Sequence, residues 1–547
     1  MVGAYLSSAS KYFITTPIFY VNAAPHLGHL YSMLLCDFQK RWLDLKETPN
    51  YFTTGTDEHG LKVQIAAELN KTDPRLFCDN LSNKFKHLAQ ISDIQYDRFI
   101  RTTDADHLAT VRQFWETVWK NGYIYKGKHS GWYSVSDETF YPESQVEQRD
   151  GKTVSTETGS EVVYESEENY FFKLSAFQSQ LIDLYKANPQ FVIPANYYSD
   201  LLKELEREPL QDLSISRPSS RLQWGISVPN DESQKIYVWF DALVNYLTSI
   251  GYPSSRYKEF WPGTHLIGKD ISRFHCIYWP AFLMAAKVSP PEKVVVHGHW
   301  LMGGSKMSKS KGNVADPLAI GDYYGVDSLR LFLGANSILS NDCDFTERKL
   351  NDHRDLFIDK ICNVVTRCIS KSFDPARSVM SFSNEDMNLV WKRILERGWE
   401  GDLEKAAELK KSYDEIVDDA QQLFSKIDVL MSTFTTHKSV GEIFDLMLKV
   451  NQFVNSTEPW NLKSNERLQD LSIFVALDVT RVCLILLQPF IPGLSNKLLD
   501  MIKVESSKRT ATYAAFQQDS SYGQGAKFLK GSTPPLIKVP LRAGAYE

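Results

Sequence analysis

No stretch of this chain comes near the ~18 uninterrupted apolar residues that a bilayer span requires. The best run, near Val482–Phe490, is short and follows Asp478 and Arg481, so a membrane-spanning role is excluded. Cysteine is sparse and unpatterned. The seven cysteines are scattered over 547 residues and no C-x-x-C occurs. A disulfide framework and a zinc knuckle are therefore not expected, and a reducing compartment fits best. An excess of positive charge is also missing, since 61 Lys and Arg face 67 Asp and Glu for a net charge of −6. Any nucleic-acid partner must be met by local patches rather than by the field of the whole molecule. The P-loop pattern G-x-x-x-x-G-K-[ST] does not occur, and no G-x-G-x-x-G follows an expected strand, which leaves P-loop and dinucleotide binding without support. Internal repeats and low-complexity tracts are absent as well.

What is present is apolar material for several cores: 43% of residues are hydrophobic and 12% aromatic, and the length implies two to four domains. Lys11 to Tyr20 reads as a buried strand, Asn22-Ala-Ala-Pro25 breaks it, and Leu27, Leu30, Tyr31, Leu34, Leu35, Phe38 and Trp42 then recur at helical spacing. Asn50 to Thr54 reads as the next strand, with Gly55 to Gly60 as its exit loop. This is the βαβ grammar of a parallel sheet covered by helices. Residues 121–232 change texture, and the polar, acidic stretch Gln145 to Glu168 reads as part of an insertion. Sheet-like runs resume at Lys235, Thr264 and Lys293. From Asn351 onward helical periodicity dominates, with loops expected near Asp374–Asn388 and around Thr457, and with 25 basic against 26 acidic residues. The expected fold is α/β: a Rossmann-like sheet domain in two halves, 1–120 and 233–305, split by the insertion 121–232. A linking region, 306–350, and an all-α helical bundle, 351–547, follow.

Two constellations carry chemistry. His26-Leu27-Gly28-His29 lies between a strand exit and the first turn of an amphipathic helix. Such a turn offers unpaired N–H groups and a positive dipole end, so anions bind there. Two imidazoles three residues apart share one side of the turn and can donate to phosphate oxygens. Gly28 removes a side chain that would keep a nucleotide from the backbone. Alone, the pair equally fits two histidines packing beside a loop. Lys306-Met-Ser-Lys-Ser310 follows Gly303-Gly304 and reads as a glycine-hinged cationic finger suited to a triphosphate, or as a solvated charge run.

Together, HLGH after the first strand and KMSKS after the last resemble the two signatures of class I aminoacyl-tRNA synthetases. The segments TTPIFYVNAAPHLGH, FTTGTDEHG, ISRPSSRLQWGISVP, YVWFDALVNYL, LIGKDISRFHCIYWPAFL and VHGHWLMGGSKMSKSKGNV resemble the methionyl-tRNA synthetases within that class, from about Phe13 to at least Trp460. The resemblance implies activation of methionine with ATP and transfer of the methionyl group to the 3′ end of tRNA(Met). It implies charge stabilisation by His26, His29, Lys306 and Lys309, with Gly28, Gly268, Asp270 and Ser308 also at the nucleotide. It further implies a methionine pocket in which Ile18, Tyr20 and Asp57 come from the first half. Trp239, Ala242, Leu243 and Tyr246 come from one later segment, and Ile271, Phe274, His275 and Trp279 from another. Asp57 would hold the ammonium, while Tyr20 and His275 would offer weak hydrogen bonds to sulfur; read without the motifs, Trp239 and Trp279 fit plain core packing. Asn363, Arg367 and Trp460 would read the anticodon, although a helix-surface pair and a core tryptophan fit the same residues. Mg²⁺ is expected with the triphosphate rather than in a protein cage.

Many relatives in the family carry C-x-x-C in the insertion. Here Ser134 and Asp137 stand where thiolates would be, so no zinc is expected. With no appended C-terminal module a monomer is expected. The compact zinc-free form resembles the bacterial-like and mitochondrial branch, which points to the mitochondrial matrix or, alternatively, a bacterial cytoplasm. The leucine, isoleucine and valine enzymes need a larger editing insertion, and the cysteine enzyme needs zinc-binding cysteines. A non-catalytic RNA-binding descendant would be expected to lose the histidines or lysines, and both sets are intact.

Overall fold

The computed structural model describes residues 11–134, 139–141, 143–149, 151–156, 158–307, 315–529 and 531–546. The chain divides into two compact units, one comprising residues 1–36 and 50–299 and the other residues 37–49 and 300–547.

The first unit is built on a parallel sheet. Its strands are β1 (Tyr12–Thr15), β2 (Phe19–Tyr20), β3 (Asn50–Asp57), β4 (Arg98–Arg101), β7 (Val192–Ile193), β8 (Thr264–Gly268) and β9 (Lys293–His297). Their order is β7-β9-β8-β1-β3-β2, with β4 also on β3, and every pairing is parallel. Between them run α1 (Leu27–Leu45), whose residues from Asp37 onward belong to the second unit, α2 (Pro74–Ile91), α3 (Ala105–Lys120), α4 (Val238–Ser249) and α5 (Trp279–Ala285). The insertion contributes a long antiparallel pair, β5 (Ile124–Ser134) with β6 (Val163–Phe172). The apolar face expected on α1 is the buried one: Leu27, Leu30, Tyr31, Leu34, Leu35, Phe38 and Trp42 are each at most 2% exposed.

Three local readings change. The strand expected over Lys11 to Tyr20 is two strands, because Pro17 has no N–H for the ladder. Gly55, read as the start of a loop, lies inside β3, where a Cβ would stand 1.9 Å from the Ile100 carbonyl oxygen of β4. The run at Lys235 is not all sheet. A strand ends at Ile236 and α4 begins at Val238. α4 is buried almost all round, so its sequence has no polar stripe to reveal a helix.

The second unit holds a small sheet of β10 (Trp300–Met302), β11 (Ser305–Lys306) and β12 (Cys343–Asp344), then helices from α6 (Glu347–Phe357) onward. Gly303 and Gly304 have φ of +63° and +66°. They close a two-residue hairpin of the primed type between Met302 and Ser305. The long helices are α7 (Leu403–Ser432), α8 (Thr436–Thr457), α9 (Glu466–Leu487) and α10 (Pro492–Met501). A further helix, Pro375–Phe382, occupies the expected loop near Asp374–Asn388. Asp374 caps it, accepting from the Arg377 N–H. Buried charge is paired: Arg330 donates to Asp37 at 2.6 Å and to the Phe490 carbonyl at 3.0 Å.

Candidate active site

Thr15, Asp57, Gly268 and His297 end four neighbouring parallel strands, and ligands of open α/β sheets bind beyond such carboxyl ends. Just past β2, the His26 backbone N–H donates to Nδ1 of His29 at 3.1 Å, and the Gly28 N–H donates to Nδ1 of His26 at 3.1 Å. Because both Nδ1 atoms accept, each neutral ring carries its proton on Nε2. The rings lie 3.9 Å apart between centroids, and His29 is wedged edge-on against Phe19 and Phe85. Burial, with His26 beside it, pushes the His29 imidazole well below its ordinary range, so it is a neutral N–H donor. Gly28 has a reason the sequence did not supply: a Cβ there would stand 3.0 Å from the His26 ring.

On the other side of β1, α4 and a π-helical turn, Phe274–Tyr278, carry a set of packed aromatics. Trp239 stacks on Phe274 at 3.8 Å and 11°. The Tyr246 hydroxyl lies 2.6 Å from Nε2 of His275, whose Nδ1 lies 2.9 Å from the Ile271 carbonyl. The carbonyl accepts from Nδ1–H, so Nε2 accepts from tyrosine. Both nitrogens of His275 thus have partners within the protein. Burial holds the His275 imidazole down at about 4. Beneath it, Trp279 donates to Nε2 of His265 at 3.2 Å, and His265 Nδ1 meets Thr15 Oγ1 at 2.8 Å. Ala242, Leu243, Tyr246 and Trp279 are all buried, while Ile18 and Tyr20 are half-buried. Tyr20 pairs in register with Asp57, which is 7% exposed. Burial foremost holds the Tyr246 hydroxyl protonated.

Past β8, Asp270 accepts from His299 at 3.0 Å. At the end of β9, His297 meets Ser32 Oγ at 2.9 Å and the Gly298 carbonyl at 2.7 Å. Of the KMSKS segment, Lys306 ends β11, whereas Ser308 and Lys309 lie outside the described residues. Ser134 is buried and Asp137 lies outside the described residues. Among the described residues no group of three His, Cys, Asp or Glu side chains is placed to hold a metal ion.

In the helical unit a second π-helical turn, Ile358–Cys362, leads into Asn363; such turns are enriched at functional sites. Asn363 is half-buried and Arg367 exposed. Trp460 is 42% exposed, so it is not a core tryptophan. Its turn is held by Gln469, which donates to the Pro459 carbonyl at 2.9 Å. Sequence reasoning missed His59, His107 and Asp241. The signal available was one acidic residue inside the apolar run Val238–Leu247.

Residues 12–151 and 151–369 match the family model for class I tRNA synthetases (M), and residues 404–529 match that for the anticodon binding domain of methionyl tRNA ligase. The chain is 45% identical to the mitochondrial methionine–tRNA ligase of Candida albicans, over 98% of this chain and 97% of that protein. It is 46% identical to that of Saccharomyces cerevisiae, over 97% and 96%, and 41% identical to that of Homo sapiens, over 91% and 85%. Among solved structures, Mycobacterium tuberculosis methionyl-tRNA synthetase bound by methionyl-adenylate aligns with a TM-score of 0.84 at 31% identity, over 96% of this chain and all of that one.

Proposed function

The chain belongs to the class I methionyl-tRNA synthetases, the methionine–tRNA ligases, and on that premise we propose how its own residues perform the two steps. In the first, the methionine carboxylate attacks the α-phosphate of ATP in line and pyrophosphate leaves. The attacking group is already ionised, so no general base is needed, and catalysis is positioning plus charge stabilisation. His26 and His29 donate Nε2–H to phosphate oxygens, with Lys306, Ser308 and Lys309 acting on the leaving pyrophosphate and Gly28, Gly268 and Asp270 lining the nucleotide. The observation that carries this reading is the backbone locking of both HLGH rings in the donor tautomer. Asp57 binds the ammonium. The thioether lies against Ile18, Tyr20, Trp239 and Phe274, with Ala242, Leu243, Tyr246, Ile271, His275 and Trp279 closing the wall; a polarizable sulfur gains from such rings. Mg²⁺ accompanies the triphosphate and would neutralise its charge.

In the second step the methionyl group passes to the terminal adenosine of tRNA(Met), whose anticodon is read by Asn363, Arg367 and Trp460. The mitochondrial names of the relatives support the mitochondrial matrix as the place of action. The reading takes the chain as a monomer, which sedimentation velocity tests. Exchange of pyrophosphate into ATP, run with each of the twenty amino acids, tests the first step. Methionine alone should support it, and equal exchange with leucine would overturn the pocket assignment.

A further inference from the structure

The first unit buries one more set of ionisable groups. Asp241 lies in the first turn of α4 and is 1% exposed. Its Oδ2 accepts from His59 Nδ1–H at 2.6 Å and its Oδ1 from His107 Nε2–H at 2.7 Å. The second nitrogen of His107 lies 3.1 Å from Thr248 Oγ1, near the end of the same helix. Burial alone would raise the Asp241 carboxyl, but His59 and His107, hydrogen-bonded to its two oxygens, outweigh it and hold the carboxyl below its ordinary range. A buried polar set of this kind is a weak source of stability compared with apolar packing, so its placement has to explain it.

The placement is specific. His59 stands two residues after Asp57, and the residue between them is pinned. Glu58 accepts from Arg101 Nε and Nη2 at 2.6 and 2.9 Å and from Thr103 Oγ1 at 2.5 Å, and its N–H donates to Thr102 Oγ1 at 2.9 Å. Asp57 and His59 therefore move as one piece. Asp241 in turn sits on α4 between Trp239 and Ala242, with Tyr246 one turn further on. One carboxylate thus ties the strand end that carries the ammonium anchor to the helix that carries the side-chain wall, and His107 braces it from α3.

We propose that His59, Asp241 and His107 form a positioning set that fixes the distance from Asp57 to the Trp239–Tyr246 wall, so that side-chain length is measured from the ammonium. The set is then a determinant of the choice of methionine over shorter and longer amino acids. The inference rests on the amino-acid site proposed above and extends it to residues that do not touch the substrate.

An asparagine amide can reproduce the Nδ1 donor of a histidine, and a glutamine amide the Nε2 donor. His59→Asn and His107→Gln therefore keep the bonds to Asp241, while His59→Leu and His107→Leu remove them. In methionine-dependent pyrophosphate exchange the leucine variants should raise KM for methionine about tenfold or more, with KM for ATP within about twofold, because misplacement affects only the reactant that is measured. Their preference for methionine over leucine and ethionine should narrow, and the amide variants should stay near wild type. Folded leucine variants with wild-type KM and preference would overturn the proposal, as would amide variants as impaired as the leucine ones. Should the leucine variants not fold, His59→Asn against His59→Gln decides, since glutamine carries its donor one bond too far. A lower KM for the asparagine variant supports the positioning set, and equal KM values overturn it. Wild-type enzyme without methionine-dependent exchange would instead overturn the amino-acid site, and this inference with it.

Discussion

The proposed amino-acid pocket and the tRNA-reading candidates are treated in opposite ways by the same chain. In the pocket, Leu243, Tyr246, His275 and Trp279 are at most 1% exposed, and their polar atoms are committed to named partners within the protein. In the helical unit, Trp460 is 42% exposed and Arg367 is also at the surface. A small ligand has to be desolvated and measured, which suits a proposed site of half-buried rings such as Trp239 and Phe274 backed by a fully buried wall. An RNA loop brings its own bases outward and asks only for platforms and donors on a surface. Substitutions in the first region should therefore disturb binding and folding together, whereas substitutions in the second should separate them.

Acid should expose the contrast most strongly. His29, His265, His275 and His297 are all held below their ordinary range by burial. Among the described histidines of the helical unit only His437 is. The unfolded chain, with values of about 6.5, takes up protons that the folded first unit refuses. The stability these groups contribute is whole above about pH 6.5 and is lost as pH falls toward 4, by about 3 kcal/mol for each of His275 and His297. Melting curves at pH 7 and pH 5 should show a large fall, unchanged in His437→Gln. An equal melting temperature at both pH values would contradict it.

Next in size is His26→Ala. It should slow adenylate formation about a hundredfold, roughly 3 kcal/mol, while leaving KM for methionine near wild type; single-turnover kinetics would measure both, and an unchanged rate would remove His26 from catalysis. Trp239→Ala should act on the other parameter, raising KM for methionine by about 2 kcal/mol or more with a smaller effect on turnover. A selective effect on turnover would mean that the Trp239–Phe274 stack supports the fold and not the ligand.

Much of this was legible in the sequence because its signals were local. HLGH, the α1 face and the strands at Thr264 and Lys293 each announce themselves within ten or so residues, and the structure has them there. The parallel-sheet unit and the following helical unit agree with the expected fold class as well. What stayed hidden depended on partners distant in the chain. Gly55 is required by Ile100, Gly28 by the folded-back ring of His26, and Asp241 by two histidines 182 and 134 residues away. The first turn of α4 was read as sheet because burial on every face erases periodicity. The helix at Pro375 was read as loop because it is short and its Asp cap also suits a turn.

The smallest expected effect bears most directly on the claim that activation and tRNA recognition are separate. Trp460→Ala should be measured in methionine-dependent pyrophosphate exchange and in tRNA charging side by side, with a thermal melt of the same sample. The account predicts exchange near wild type, stability within about 0.5 kcal/mol as for a surface change, and charging weakened by about 1–3 kcal/mol through the loss of one stacking platform. Charging at the wild-type level, or a loss of charging that merely follows a loss of fold, would contradict it.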